Sequence, residues 1–286
     1  MISSVARFRL QTLRQTACVA LRRFDHPPGA DLTDSEEQAS ERFQVNIVER
    51  GCFRFGFHRW QRSLASGSIF LSRPGEVYTY SHIRDLEPDT CLSLEFSASF
   101  SDDLPEILHN VSLVPPNTNR LAFLQVRLCS TAAAQAEMSL DIIAAELLEA
   151  VHSSCDDSHR LYRPERLKWY ARKVVAAREL MDADPAGQHS LLHLSKQVAM
   201  SPFLFARVFR ELTGVPPHKY LVLVRLQRAR TLLESGMSVT ETCYTVGFNN
   251  LSHFVRSFQG YFGVLPSVLK RSRTRWRAQR LTRGIY

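Results

Sequence analysis

Two arginines, Arg207 and Arg256, occupy equivalent positions in two similar segments, 190–214 and 238–263. The other equivalent pairs share the same separation of 49 residues and are Phe205 and Phe254, Phe209 and Phe258, Gly214 and Gly263, and Pro217 and Pro266. A guanidinium group can donate two parallel hydrogen bonds to the edge of guanine, and arginine is the most common side chain to do so. The repeated arginines therefore indicate readout of base sequence, with phosphate binding as the alternative role for each.

Each segment is predicted to be a helix, a short turn and a second helix. In 190–214, Leu191, Leu194 and Val198 lie on one side of a short helix, and Ser201 with Pro202 begins the next one. In 238–263, the turn is 247–249 and the second helix buries its phenylalanines. Such a unit lays its second helix in a major groove. A chance repeat in an ordinary helical bundle is the competing interpretation, and the matching helix ends argue against it.

The charge of the chain is unevenly distributed. Residues 164–286 hold 20 Lys+Arg against 7 Asp+Glu, a net charge of +13, whereas residues 1–163 hold 16 against 21, a net charge of −5. Residues 1–24 carry five arginines and no acidic residue. A strongly basic domain is typical of proteins that bind nucleic acid, and the acidic remainder is a poor candidate for contact with DNA.

The C-terminal part of the chain resembles the AraC/XylS family of bacterial transcription regulators. The similarity is close over 190–272 and extends loosely back to Pro164. It depends most on GVPPHKYL at 214–221, RLQRARTLL at 225–233, GFNNLSHFVRSFQGYFG at 247–263, and Leu265-Pro266-Ser267. The resemblance implies a sequence-specific DNA-binding regulator that responds to an effector and activates transcription.

Under this resemblance, the residues that face DNA lie on the two recognition helices and at nearby helix ends. They are Phe203, Ala206, Arg207, Arg210, Lys219, Asn250, Leu251, Ser252, Val255, Arg256, Lys270 and Arg271. Arg210, Lys219, Lys270 and Arg271 would contact phosphates, as would the basic tail that follows. Gln259 departs from the pattern, because the family often has a basic residue there. Phe203 and Leu251 would offer apolar contact to thymine methyl groups, with core packing as the alternative for Phe203.

The N-terminal half contains several short strand patterns. Alternating residues around Val45, in 53–57, and in 77–82 predict strands, as do 68–71 and 91–96. Regulators that resemble this chain carry a small cupin-like β-barrel sensor in this position, and RPGEVYTYSH (73–82) fits its turn and strand. We therefore expect an effector pocket lined by Arg73, Tyr78, Tyr80 and His82. Core packing is the alternative for the nearby phenylalanines.

Helical spacing begins near Asn119, and Leu140, Ile143, Leu147 and Val151 share one helix side. This side could pack within the chain or form a homodimer, and we expect the dimer. The predicted architecture is α+β: a small antiparallel cupin-like barrel with trailing helices, then an all-α domain with two helix-turn-helix units joined by a long helix. The predicted domain boundaries are a basic arm and acidic linker (1–42), the effector domain (43–105), dimerisation helices (106–155), a linker (156–164) and the DNA-binding domain (165–286).

No motif indicates catalysis. The chain has no GxSxG, phosphate-binding glycine loop or HExxH sequence, and its six scattered cysteines form no CxxC pair. A repair methyltransferase joined to this DNA module is disfavoured for that reason. We expect no enzymatic activity, no cofactor and no metal. The expected partners are double-stranded DNA, a small-molecule effector and RNA polymerase, in the bacterial cytoplasm and without a membrane. Control by a protein partner instead of an effector remains an alternative.

Overall fold

The structure, a computed structural model, describes residues 9–26, 36–82, 89–97, 111–133, 139–153 and 161–269. It divides into two compact units, which meet in the sequence between Leu161 and Tyr162. The first unit contains all the strands of the described residues, and the second is helical.

The described residues of the first unit form nine strands and two helices. The strands are β1 (Arg9–Gln15), β2 (Val19–Asp25), β3 (Glu36–Ala39), β4 (Gln44–Arg50), β5 (Cys52–Phe57), β6 (Trp60–Ala65), β7 (Ile69–Ser72), β8 (Val77–His82) and β9 (Thr90–Phe96). They form a five-stranded sheet in the order β1-β2-β9-β4-β7 and a four-stranded sheet in the order β3-β8-β5-β6. All neighbouring strands are antiparallel.

The two sheets pack face to face and are not joined into a barrel by any strand pairing in the described residues. The α+β class is confirmed. The predicted cupin-like barrel is not confirmed, because the strands of the described residues form two antiparallel sheets without closing into a barrel. Periodicity along a single strand reports which side of it is buried, and it does not tell whether the two edges of the sheet meet. A sandwich and a barrel therefore give the same sequence pattern.

Aromatic rings fill much of the space between the sheets. Phe53 and Phe55 of β5 contact Phe70 of β7 with ring centroids 5.7 and 4.8 Å apart. Tyr78 of β8 stacks on Phe55 at 5.3 Å. Burial of such rings is a major source of stability in a small sandwich. For the phenylalanines, the core-packing alternative is the one observed.

The first forty residues contain strands that the sequence analysis did not predict. The region 1–42 was interpreted as an arm and a linker, but β1 and β2 extend the five-stranded sheet and β3 pairs with β8. The arginines of β2 are paired, since Arg22 and Arg23 form ion pairs with Glu95 and Glu49 at 3.2 and 3.1 Å. These cross-strand partners allow a charge-rich segment to enter a sheet.

Two helices follow the strands in the described part of the first unit: α1 (Asn119–Ala133) and α2 (Ser139–Ser153). They are joined side by side through ion pairs from Arg120 to Glu149, at 2.6 Å, and from Arg127 to Glu146. The side chains proposed for dimerisation are buried within a single chain, with 1% exposure or less: Leu140, Ile143, Leu147 and Val151. The prediction that these four side chains form a dimer interface is therefore wrong, because the neighbouring elements of the same chain already cover them.

Seven helices make up the second unit as far as Leu269, the last residue that the structure describes. They are α3 (Pro164–Ala183), α4 (Leu191–Gln197), α5 (Pro202–Thr213), α6 (Pro217–Glu234), α7 (Val239–Thr245), α8 (Leu251–Phe262) and α9 (Pro266–Leu269). Helices α4 and α5 form the first helix-turn-helix, and α7 and α8 form the second. The long helix α6 joins them, as the sequence predicts.

The helix starts follow from local hydrogen bonds. Ser190, Ser201 and Ser238 each accept a hydrogen bond from the backbone N–H three residues later, at 3.1, 3.4 and 3.2 Å. These caps satisfy donors that have no partner inside the helix. Because the caps fall at the start of α4, α5 and α7, they fix where each short helix begins and which side of it faces the core.

Candidate nucleic-acid interface

Helix α5 is strongly two-sided. Phe205, Val208, Phe209 and Leu212 are fully buried, whereas Phe203 is 80% exposed and Arg207 is exposed. Ala206 lies between them and is partly buried. At this exposure, the ring of Phe203 is accessible to a partner and takes no part in the core. The core alternative for Phe203 therefore does not hold, and the predicted reading residues do share one outward side.

Helix α8 repeats this arrangement. Phe254 and Phe258 are fully buried, Ser252 and Arg256 are exposed, and Leu251 and Val255 are partly buried. The guanidinium of Arg256 donates from Nε to the carbonyl oxygen of Ser252 at 3.4 Å. This bond uses only Nε, and the two terminal nitrogens of this exposed side chain carry further N–H donors.

Asn250 has a structural role besides its predicted one. Its Oδ1 accepts a hydrogen bond from the backbone N–H of His253 at 2.9 Å, so its side chain caps α8. Only the amide Nδ2 is then available to donate to DNA. Arg210 and Lys219 are both exposed, as phosphate contacts require. Lys270 and Arg271 lie outside the described residues.

The two helix-turn-helix units match in detail, with one difference in their turns. Ala199 and Gly247 hold the same left-handed backbone position, with φ of 52° and 91°. The next residues, Met200 and Phe248, each donate a backbone hydrogen bond five residues back, at 2.9 and 3.0 Å. The offset here is 48 residues and not 49, so the second turn has one extra residue, Asn249. The constant offset of the helices α5 and α8 hid this insertion from the sequence comparison.

Helix α6 is attached to both helix-turn-helix units by buried contacts. Tyr220 near its start packs on Phe209 of α5, with ring centroids 5.6 Å apart, and accepts a hydrogen bond from Arg178 of α3 at 3.0 Å. Leu226, Ala229 and Leu233 belong to the core of the second helix-turn-helix unit, with Phe254 and Phe258. One continuous helix therefore takes part in the cores of both helix-turn-helix units, the first reader (190–214) and the second reader (238–263).

Arg225, which the sequence analysis did not single out, ties the two readers together more directly. It donates from Nε to the carbonyl oxygen of Pro185 at 2.7 Å and from Nη2 to that of Gly187 at 3.2 Å. Its guanidinium also lies against Gly247, the turn residue of the second reader. The available signal was the position of Arg225 within the apolar run 220–226 of α6, but this pattern does not distinguish a buried arginine from one on the surface.

Three of the four predicted effector residues have described side chains, and each of these contacts neighbouring residues of the first unit. Tyr78 is 1% exposed, donates its hydroxyl hydrogen to Glu76 and accepts a hydrogen bond from the backbone N–H of Arg73 at 2.8 Å. Arg73 donates to the carbonyl oxygen of Val111 at 2.7 Å. Tyr80 is partly buried among aromatic rings. His82 ends β8, but its side chain lies outside the described residues.

A polar stripe on the inner face of the five-stranded sheet was missed. Ser93 lies opposite Asn46 and Arg22 in the strand register, all on the face that also presents Phe70 and Cys91 to the second sheet. Asn46 donates to the Ser72 hydroxyl at 3.0 Å, and Ser72 bonds to Tyr80. The buried Ser93 hydroxyl has no hydrogen-bond partner within the described residues. Burial raises the pKa of Tyr80 to about 12, so its hydroxyl is protonated at neutral pH.

Within the described residues, no group of three or more His, Cys, Asp or Glu side chains could hold a metal ion. In that same part of the chain, no helix combines the length and apolar character needed to cross a bilayer.

Comparison with known proteins gives matches that agree with this geometry. Residues 194–272 match a family profile described as a helix-turn-helix domain. The HTH-type transcriptional activator RhaS of Escherichia coli O139:H28 is 24% identical over 263 residues, covering 86% of this chain and 91% of RhaS. An HTH-type transcriptional regulator of Haemophilus influenzae is 33% identical over 89 residues, or 31% of this chain and 30% of that protein. A solved structure of a probable AraC family regulator from Rhodopseudomonas palustris is 28% identical, covers 35% of this chain and 95% of its own, and has a TM-score of 0.34.

The duplicated reader, its outward arginines and the helix-turn-helix match define the class: the chain is a DNA-binding transcription regulator. The motifs at 214–221 and 247–263 occur within the matched range and carry the particular arrangement of two readers on one long helix. These motifs and matches support an AraC/XylS family regulator.

Proposed function

We propose that the chain activates transcription by inserting α5 and α8 into two successive major-groove segments of one DNA site. The observation that carries this proposal is the shared outward side of the two helices, where Phe203, Arg207 and Arg256 are exposed opposite fully buried cores. The similarity to an activator over 91% of that protein's length supports activation. RNA polymerase is then the partner that the bound regulator recruits, in the bacterial cytoplasm.

Each outward side chain has a specific role in this proposal. Arg207 and Arg256 donate to O6 and N7 of guanine, while Phe203 and Leu251 contact thymine methyl groups. The small or short side chains of the remaining positions let the backbone approach the base edges: Ala206, Ser252 and Val255. Arg210, Lys219, Lys270 and Arg271 contact phosphates and fix the register of the helices on the duplex, as does the amide of Asn250.

The test is binding to a cognate promoter and to versions with single base-pair changes, over a series of salt concentrations. Arg207→Ala and Arg256→Ala should each remove about 1–3 kcal/mol of discrimination at their own base pairs. Lys219→Ala is the matched control, because loss of a phosphate contact should weaken binding to all sequences and reduce the salt slope by about 1. If both arginine variants lose affinity equally for every sequence, the arginines bind phosphates and the proposed readout is wrong.

For the sensing function, we propose that a polar small molecule binds between the sheets of the first unit, next to the polar stripe. Ser93, Asn46, Ser72 and Tyr80 supply hydroxyl and amide groups there, and the buried Ser93 hydroxyl needs a partner. Arg73 and Tyr78 of the predicted pocket then act as structural supports. The Tyr78 hydroxyl bonds to Glu76 and to the backbone N–H of Arg73, and the Arg73 side chain bonds to the carbonyl oxygen of Val111. This proposal keeps the effector-binding role of the cupin-like interpretation and assigns it to the polar stripe.

A thermal-shift screen of metabolites tests this sensing site. A ligand that raises the melting temperature should lose its effect in Ser93→Ala, while Ser63→Ala, an exposed serine of β6, serves as the matched control. A ligand whose effect survives in Ser93→Ala binds elsewhere.

Control by a protein partner is the second candidate, and the dense aromatic packing between the sheets favours it. A screen without any stabilising ligand, together with a stable complex between the first unit's surface and a bacterial protein, would support this candidate. We also propose a homodimer, through a surface other than the buried side of α2. Light scattering at several concentrations measures the oligomeric state, and a monomer throughout would exclude the dimer.

A further inference from the structure

The first residue of the second unit is bonded to the first recognition helix. Tyr162 donates its hydroxyl hydrogen to Oε2 of Glu211 on α5 at 2.5 Å. Its ring packs edge-on against Tyr170 of α3, with ring centroids 4.9 Å apart. The tyrosine is half-buried, and it enters the unit directly after the residue that ends the first unit. The chain between the two units therefore ends in a contact on a DNA-reading helix.

Glu211 stands one helical turn after Arg207. Side chains four residues apart on a helix are neighbours, and an oppositely charged pair at this spacing attracts. A carboxylate that pairs with Arg207 would compete with guanine for the same guanidinium hydrogens. In the structure no hydrogen bond or ion pair among the described residues engages Arg207, and one carboxylate oxygen of Glu211 is taken by Tyr162.

The ionisation of Tyr162 is consistent with a lasting bond. Burial and the neighbouring carboxylate of Glu211 raise the pKa of Tyr162 well above its usual value, while the positive charge of Arg207 opposes that rise. The hydroxyl is therefore protonated, and able to donate, throughout the neutral range.

The second reader provides an internal comparison. The residue equivalent to Glu211 on α8 is Gly260, so Arg256 has no carboxylate one turn further on. Arg256 is therefore spared the competition that Arg207 faces. The tyrosine contact therefore occurs in the first reader, which is the one that carries a carboxylate at this position.

From this geometry we propose that Tyr162 is a positioning residue for DNA recognition: by holding Glu211, it keeps the guanidinium of Arg207 available for base readout in the first recognition helix. The inference rests on the proposed function, since it requires Arg207 to read bases.

The test uses the full-length protein and DNA sites with every single base-pair change. Arg207→Ala first identifies the base pairs that Arg207 reads. Tyr162→Phe, which keeps the ring and removes the hydroxyl, should lower discrimination at those base pairs about two- to fivefold, the range expected from one exposed ion pair. Discrimination at the base pairs identified by Arg256→Ala should be unchanged. Adding Glu211→Gln to Tyr162→Phe should restore discrimination, because an amide cannot form the competing ion pair.

Tyr170→Phe is the matched control. It removes a neighbouring hydroxyl that accepts a hydrogen bond from Arg166 at 3.1 Å, and it should not alter discrimination at either reader. Equal loss of affinity for all sequences in Tyr162→Phe, or a loss that Glu211→Gln does not restore, would show a merely structural role and overturn the inference. If Arg207→Ala itself leaves discrimination intact, the base-reading role fails, and this outcome is distinct from a failure of Tyr162 alone.

Discussion

Asn250 combines two roles in one side chain, and the two can be separated by substitution. Because Oδ1 caps α8, Asn250→Ala should destabilise the second unit by about 1 kcal/mol. Asn250→Ser should keep most of the stability, since Ser201 caps α5 at the equivalent position. Chemical denaturation measures this difference. If the amide also contacts DNA, Asn250→Ser should bind DNA more weakly despite its stability, and unchanged binding would reduce Asn250 to a cap.

At this scale, the sequence predicts residues on helices better than residues on strands. The exposure of Phe203, Arg207 and Arg256 follows from helical periodicity, because one buried side determines the opposite one. For Tyr78 and Tyr80, alternation shows that both side chains lie on the same face of β8. It does not tell whether that face lines a pocket or a packed interior, because both would lie on the inner face of the sheet. The bonds of Tyr78 to Glu76 and to the backbone of Arg73 depend on the turn before the strand, which no pattern reports.

At the scale of elements, the two turns offer a matched pair of substitutions. Gly247 has φ of 91°, and a Cβ there would lie 2.8 Å from the Cα of Ala186. We expect Gly247→Ala to destabilise the protein by about 2 kcal/mol or more, from the backbone conformation and the clash together. Ala199→Gly should change stability by less than about 0.5 kcal/mol, because relief of a left-handed alanine offsets the greater freedom of the unfolded chain.

Denaturant titrations followed by circular dichroism compare these two variants. Similar stability losses in both would contradict the difference between the turns. Gly236→Ala, another glycine with positive φ (101°) but with open space around its Cβ position, isolates the conformational part of the effect.

The elements that sequence patterns missed are those stabilised by distant partners. Strands β4, β5, β8 and β9 are recognisable from their apolar alternation, and β7 is recognisable as a short apolar run. Strand β2 is not, because Arg22 and Arg23 interrupt its pattern and find Glu95 and Glu49 only in the folded sheet. Strand β1 is largely exposed at the sheet edge, where little burial is needed. The α-helical unit was predicted almost completely, since its caps and periodicity are local.

At the scale of the whole molecule, the attachment of α6 to both readers predicts a fixed spacing on DNA. Its 18 residues span about 27 Å, and both ends are held in buried cores. A binding site whose two halves are moved apart by 5 base pairs presents the second half on the opposite side of the duplex. Moving them by 10 base pairs restores the side but adds about 34 Å, which a continuous helix cannot follow.

We therefore expect both insertions to reduce binding of the full-length protein to the level of a single half-site. Gel-shift titrations at constant salt measure this, with a site that retains only the first half as the control. Recovery of affinity at 10 base pairs, with loss at 5, would mean that the readers move independently or that two protomers share the site. Arg225→Ala removes the bonds to Pro185 and Gly187 without interrupting α6, so it should weaken binding to the native spacing and leave the rejection of both insertions intact.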